Sequence, residues 1–382
     1  MTRTLAVCAA AILAVAGGRR AVAQPAYRFI NIADTNGPFN FFQSAVSISD
    51  SGVVAFSAMQ DNGVNGIYTG SGGPITTIAD TDGPFRTFGL PLAINANGTV
   101  AFTANYDDPF EGGGLFTSNG GEVTPIARSG IRDPLSLVTA PSINDSGTVA
   151  FYAEPRDPRM AKGIFTGNGG PLTTIADETG PIRGLVFRTS INESGTVAFQ
   201  ASRDVGGFGV FRGDGQTLAL ISTFITPGTH SSINDHGLVA FAGRSGDVRG
   251  IFAGEGGGVE ILVDPPQLGV TLSPSLNNSG AVAFRGQNAA GGGIFVGGRD
   301  GTDAVIRDGA PLFNSTLFFL IDAPVMNNRG DIAFHYELAN GVYGIAVAKV
   351  IPEPGGAALL IVGVLICVAP RCTRRTPRRT SA

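Results

Sequence analysis

The chain has 382 residues, 56 of them Gly and 23 Pro, with no Trp and three Cys. Its formal net charge is −4, and setting aside the eight Arg of the two ends together with Glu353 leaves −11 on the body, which argues against nucleic acid as a partner. The Cys fall at positions 8, 367 and 372, so the body between the ends can build neither a disulfide framework nor a thiolate metal site.

Residues 1–23 read as a secretory signal peptide. Arg3 gives a positive start, Leu5 to Ala16 is apolar, and Ala21-Val22-Ala23 is a small-x-small site that places cleavage between Ala23 and Gln24. The apolar run is too short to be a membrane anchor in its own right.

Residues 24–350 repeat one short stretch seven times. It is clearest as Asn144-Asp-Ser-Gly147-Thr-Val-Ala150-Phe151. Copies begin at Asn95 with Gly98, Asn192 with Gly195, Asn234 with Gly237, Asn277 with Gly280, and Asn327 with Gly330; the first copy, Ser49 to Phe56, has Ser in place of Asn. Asn can close a turn by bonding its own backbone, and Gly supplies a positive φ without steric cost. The strand that follows alternates, with Val100 and Phe102 on one face and Thr99, Ala101 and Thr103 on the other. A large pair opposite a small residue suits a sheet held between two neighbours. These residues read as turn and core, with no chemistry of their own.

The repeated Phe falls at positions 56, 102, 151, 199, 241, 284 and 334, a step of about 46 residues, in the range of propellers, solenoids and arrays. Each period adds a Gly-Ile-Phe-like piece, such as Gly163-Ile164-Phe165, and a Thr-Ile-Ala-Asp-like piece, such as Leu172 to Asp177. Gly-rich connectors join them as hairpins. A fourth apolar piece, such as Leu185 to Ile191, leads into the next turn, and no stretch of the body has helical periodicity. Four short strands per period is one propeller blade. Phe29 to Asp34 is a displaced copy of the Thr-Ile-Ala-Asp piece, while the last period stops after Gly344 to Val350 without one. The first strand is therefore expected to complete the last sheet, closing a ring and leaving no unpaired edge. The expected fold is all-β, a seven-bladed β-propeller, with an open β array or tandem sandwiches as the alternatives.

Residues 351–382 carry three signals in order. Pro352-Glu353-Pro354 precedes an apolar run from Gly355 to Ala369, and Arg371, Arg374, Arg375, Arg378 and Arg379 follow. The run is marginal for a full span, and its basic end is expected to stay cytoplasmic. A plain membrane anchor accounts for the run and the Arg cluster but not for Pro-Glu-Pro. This tail resembles the PEP-CTERM sorting signal of Gram-negative bacteria, and the body resembles the tandem NxxGxxAF-repeat exported proteins that bear such anchors. The resemblance implies a C-terminal transmembrane sorting helix, export by the Sec machinery, and recognition by an exosortase. Pro352, Glu353 and Pro354 would be the recognition element, and Arg371, Arg374 and Arg375 would belong to the retention signal. It also implies inner-membrane anchoring followed by delivery to the cell surface or beyond, with exopolysaccharide, biofilm or surface proteins as the setting. For the repeats it implies no activity.

The search for catalytic residues is sparse. The three His are His230, His236 and His335, and none recurs in the repeat. Clustering of His230, Asp235 or Glu111 with other acids at one channel mouth would point to an enzyme. No cofactor is called for. Asp34, Asp80, Asp82 and Asp177 stand in loops where oxygen ligands could hold Ca²⁺, but the spacing lacks the third ligand and distant Glu of an EF-hand loop, which favours turn formation. Two functions therefore stand: a non-catalytic surface scaffold or adhesion module, and a secreted hydrolase or lyase acting on polysaccharide.

Overall fold

In the repeated turn one side chain takes the place of missing backbone partners. Asn144 Oδ1 accepts the backbone N–H of Thr148 at 2.9 Å, while the Asn144 carbonyl accepts the N–H of Gly147 at 3.0 Å. Gly147 sits at φ +82°, a left-handed conformation that costs an L side chain but not Gly. The computed structural model describes residues 26–352, apart from 224, 264–268 and 300. The signal peptide with its cut at Ala23 and Gln24, and the tail from Glu353 onward with its transmembrane helix and Arg cluster, lie outside the described residues. Among the described residues there is no helix.

The protein is all-β, in a β-propeller arrangement. The first repeat unit shows the pattern: Phe39–Ile48, Val54–Gln60, Asn65–Gly70 and Thr76–Asp80 pair in sequence order as an antiparallel meander. The Asn turn, or Ser49 here, joins the first strand of a unit to its second. The second and third strands carry the repeated aromatics into register, Phe56 opposite Tyr68 and Phe102 opposite Phe116. Such cross-strand pairs are the elementary stabilising contact of a sheet. Phe56, Phe102, Phe151, Phe199, Phe241 and Phe284 have no exposed surface, which at about 1.5–3 kcal/mol for each buried side chain makes them the main apolar ballast.

Units join through the two faces read from the sequence. Val100, Phe102 and Ala104 share a core with Ala55 and Ile67 of the preceding unit, whereas Ala101 and Leu115 pack with Val149 and Phe151 of the following one. The same interlock recurs around the molecule and returns to its start, where Ala333 and Ile345 of the last unit pack against Val54 and Phe56 of the first. The small side chain on one face lets the next sheet come close enough for the large pair to fill the gap.

Ala26–Asp34 adds to the outer edge of the last sheet, beside Tyr343–Ile351. The contact is specific. Where other units place an aromatic opposite the repeated Phe, the last has Ala346 opposite Phe334, and Phe29 fills the space with its ring 6.2 Å from that of Phe334. Tyr336 Oη donates to Asn31 Oδ1 at 3.1 Å across the same seam.

The hydrogen-bonded sheets do not number seven, as seven separate blades would require. Among the described residues there are six: four of four strands, one of six and one of eight. The eight-stranded sheet consists of two meanders, Phe85–Ile94 to Thr124–Ser129 and Leu135–Ile143 to Thr173–Asp177, linked by a single parallel pair, Leu135 with Ser129. The short connector between those strands lets the outer edge of one meander touch the inner strand of the next.

Candidate functional site: the axial cavity

The first strands of successive units touch one another in cyclic order, and the last returns to the first. A cavity of about 900 Å³ is lined by these strands, Leu135–Ile143 excepted, and by the segments leading into them. Its wall is made where these strands break register: between Phe42 and Val46, Gly89 and Ala93, Leu185 and Thr189, and Thr271 and Ser275. The intervening Ser44, Ala45, Leu90, Pro91, Arg188 and Ser273 all line the cavity. A bulge inserts unpaired residues and re-aims their side chains, which is how a strand otherwise committed to the sheet delivers polar groups to the axis. Ser273 adopts φ +63° at its bulge, a conformation unusual for a residue with a Cβ.

A hydroxyl girdle ties these strands together. Ser47, Ser190, Ser232 and Ser275 each accept a backbone N–H from the next unit, from Ile94 at 3.2 Å, Ile233 at 3.2 Å, Leu276 at 3.1 Å and Met326 at 2.9 Å. Ser190, Ser232 and Ser275 also face the cavity.

Arg188 is the cation of this wall with the clearest surroundings. Its Nη1 lies 3.4 Å from His230 Nδ1, and no carboxylate of the described residues is within ion-pair distance of it. Loss of hydration lowers its pKa, opposed by the more distant charge of Asp322. His230 is pushed down to about 3, first by loss of hydration and then by the charge of Arg188. At neutral pH His230 is therefore uncharged, and its Nδ1 accepts from Arg188 while Nε2 carries the proton. The remaining charge of the wall comes from Arg285, Asp308 and Asp322, with the Arg285 guanidinium 4.5 Å above the Phe319 ring.

One repeat position stands out against the constant framework. The residue after each repeated Phe is Ser57, Thr103, Tyr152, Gln200, Ala242, Arg285 or His335, different in every unit. Several reach the first strand of the next unit or the segment leading into it: Tyr152 meets Phe187 with ring centroids 4.5 Å apart and planes tilted by 50°, Gln200 Nε2 donates to Thr229 Oγ1 at 3.1 Å, and His335 packs its ring 6.1 Å from Phe42. Ser57 Oγ, Gln200 Oε1 and both ring nitrogens of His335 are buried without a hydrogen-bond partner, as is Asp322 Oδ2, which is 3.7 Å from His335 Nδ1. Native structures tolerate few such groups. Here all but Asp322 Oδ2 belong to one position of the repeat.

The residues singled out from the sequence fall elsewhere. The turn Asn side chains do more than close their own turns: Nδ2 of Asn95, Asn144, Asn192 and Asn234 each donates to the carbonyl of the corresponding Asn one unit on, at 3.1–3.2 Å. Asn277 Nδ2 instead approaches Met326 Sδ at 4.0 Å. The next residue forms a second ladder, in which the backbone N–H groups of Asp145 and Glu193 donate to Glu193 Oε1 and Asp235 Oδ1 at 2.8 and 3.0 Å. Asp235 thus belongs to the turn ring, His230 to the cavity, and Glu111 to an exposed loop where its carbonyl accepts from Arg128. The structure does not cluster them. His236 holds a turn position, its N–H donating to Asn234 Oδ1 at 3.1 Å. Asp34, Asp80 and Asp177 accept the N–H two residues on, from Asn36, Asp82 and Thr179, at 2.9, 3.1 and 2.9 Å, as turn formers do. Among the described residues no group of three or more His, Cys, Asp or Glu is placed to hold a metal ion.

Comparison with known proteins gives a family and a fold. A family model described as "Family of unknown function (DUF7453)" matches residues 94–328. No curated protein matches the sequence. Among solved structures, the β-propeller domain of the Trilobed protease from Pyrococcus furiosus, described as having an open velcro topology, is similar with a TM-score of 0.53 at 8% identity, covering 81% of this chain and 93% of that one. An oligogalacturonate lyase in complex with manganese gives 0.56 at 12% identity, covering 86% and 99% of the two chains. The oligogalacturonate lyase from Vibrio parahaemolyticus gives 0.54 at 14%, covering 86% and 98%. At such identities the likeness is one of fold.

Proposed function

The chain belongs to the DUF7453 family of unknown function, and we propose that it is a non-catalytic binding scaffold of the bacterial cell surface. The observation that carries this reading is the combination of a repeated frame with a wall that varies from unit to unit. Turn, strand and core residues recur, while the bulges present different groups to the axis and the position after each Phe varies in every unit, Arg285 among them lining the cavity. Binding needs such a wall.

The finer architecture of the proposal is a seven-bladed propeller, with the eight-stranded sheet counted as two blades. Its support is the single bridge between the two meanders and the seven interlocking cores that return to their start. The surface location rests on the signal-like start and the PEP-CTERM-like tail: export by Sec, retention at the inner membrane, exosortase recognition at Pro352-Glu353-Pro354, and encounter with exopolysaccharide.

The test is to mix the mature protein, purified from its own host, with that host's exopolysaccharide. Sedimentation with the polymer and no new reducing or unsaturated ends is the expected result. Release of such ends would replace the scaffold with a hydrolase or lyase. Intact mass of the same sample checks the sorting, which requires a C-terminus near Pro352 to Gly355 rather than at Ala382.

A further inference from the structure

We infer that the axial cavity takes a carboxylate-bearing saccharide, with Arg188 receiving the carboxylate. This rests on the binding role proposed above and adds the class of ligand.

The argument begins with the placement of Arg188. The register break between Leu185 and Thr189 lifts it out of the ladder and into the cavity. A guanidinium has five N–H donors and no acceptor. Arg188 uses one of them on a neutral imidazole at 3.4 Å, and none on a carboxylate of the described residues. An anion in the cavity would find the remaining donors in a fork that matches two carboxylate oxygens. His230 favours this arrangement: its backbone N–H, fixed on Ser273 Oγ at 3.1 Å, holds it against the neighbouring bulge.

The remainder of the wall suits a sugar better than a bare anion. A space of about 900 Å³ is in the range of sites for molecules of several rings. Ser44, Ser231 and Gln287 offer donors and acceptors for hydroxyls. Asp308 and Asp322 accept from hydroxyls and repel a second carboxylate. With the Arg285 guanidinium held over the Phe319 ring, that combination favours a ligand with one acidic group at Arg188 and neutral hydroxyl-bearing rings beside it.

The experiment is titration calorimetry on the mature protein with three probes: a β-linked trimer carrying one glucuronate and two neutral hexoses, its carboxyl-reduced neutral counterpart, and inorganic phosphate. The acidic trimer is expected to bind about tenfold or more tighter than the neutral one, as a charged hydrogen-bonded pair implies. Arg188→Gln should abolish that difference, and Arg188→Lys should retain part of it, with circular dichroism confirming the fold of both. Equal affinity for the two trimers, no binding of either, or an unchanged difference in Arg188→Gln would overturn the inference. Phosphate binding as tightly as the acidic trimer would also overturn it, making this a simple anion site. Retention of host exopolysaccharide is read separately. A protein that sediments with polymer yet fails these titrations loses the carboxylate inference alone, and one that does neither loses the binding role as well.

Discussion

Asn327 Nδ2 donates to the carbonyl oxygen of Ser49 at 2.9 Å, joining residues 278 positions apart. One residue along the same seam, Asn328 Nδ2 donates to Asp50 Oδ2 at 2.9 Å. These bonds close a ladder in which a buried amide of one unit serves the backbone of the next. The ladder is interrupted at Asn277, which turns to Met326 Sδ, and at Ser49, because a hydroxymethyl cannot reach where an amide can. Ser49 Oγ accepts from Val53 N–H at 3.1 Å and stays within its own turn.

Ser49→Asn should therefore add the missing link toward Asn95 and stabilise the protein by about 1 kcal/mol, the net worth of one hydrogen bond. Asn327→Ala should cost about 2–4 kcal/mol, since it strips the acceptor used by the Arg329 and Asp331 N–H groups as well as the donor to Ser49. Chemical denaturation midpoints of the two variants, read beside the parent, check both signs.

Gly147 separates backbone strain from crowding. Nothing lies within 4 Å of where its Cβ would be, so any penalty comes from φ +82° alone. Gly147→Val should cost about 1–2 kcal/mol or more and Gly147→Asn distinctly less, because Asn visits the left-handed region. Equal losses in thermal unfolding would mean that the turn resists substitution for another reason.

His335 is 2% exposed, neither ring nitrogen has a hydrogen-bond partner, and Asp322 Oδ2 lies 3.7 Å from Nδ1, beyond hydrogen-bond reach. Replacement by Leu removes two unsatisfied polar atoms from the seam with Phe42. The variant is expected to match the parent or exceed it by about 1 kcal/mol, in contrast to most core substitutions. A loss above about 2 kcal/mol would show that the imidazole is satisfied in solution.

Acid should weaken the fold through His230. Its folded pKa, near 3, lies below the ordinary value of 6.5, so between these values the unfolded chain takes up a proton that the folded chain refuses. Stability from this group is full above about pH 6.5 and declines as pH falls toward 3. His230→Gln should flatten that part of the curve. Denaturation midpoints from pH 7 to 4 would show it.

Glu193 works in the opposite sense. Loss of hydration and then the charges of Asp145, Asp235 and Asp50 raise its pKa, so its ionised form burdens the folded state, and the burden lifts as pH falls below the raised value. Glu193→Gln keeps the Oε1 that accepts from Asp145 N–H. It should raise the midpoint slightly at pH 7, by under about 1 kcal/mol, and the gain should fade in acid.

How legible this molecule was depended on the range of each interaction. The Asn–Gly turn is local: a four-residue spacing fixes both the Oδ1 acceptor and the positive φ, and the structure has both at Asn144 and Gly147. The alternation of Val100, Ala101 and Phe102 is local too, and it correctly foretold a sheet packed on both faces. Ring closure was readable because one piece, Phe29 to Asp34, was out of place. The bridge between Leu135 and Ser129 was not, since nothing in a connector's composition says that its two strands will meet. Arg188 was hidden for a related reason. In Leu185 to Ile191 it looks like the solvent-facing member of an apolar strand, and only the bulge turns it to the axis. The position after each Phe was available all along from laying the seven copies over one another, because the departure from repetition is itself the signal.

The seam between Ala26–Asp34 and Tyr343–Ile351 sets a timetable. The strand that leaves the ribosome first pairs with the strand that leaves last, and Phe29 has no Phe334 to pack on until more than three hundred residues have followed it. Every earlier unit can form its meander as it emerges, yet none of them can be sealed into a ring before the chain is nearly complete. The edge of Ala26–Asp34 must stay unpaired throughout that interval, which makes it the point where a second chain, or a chaperone, has the longest opportunity to bind.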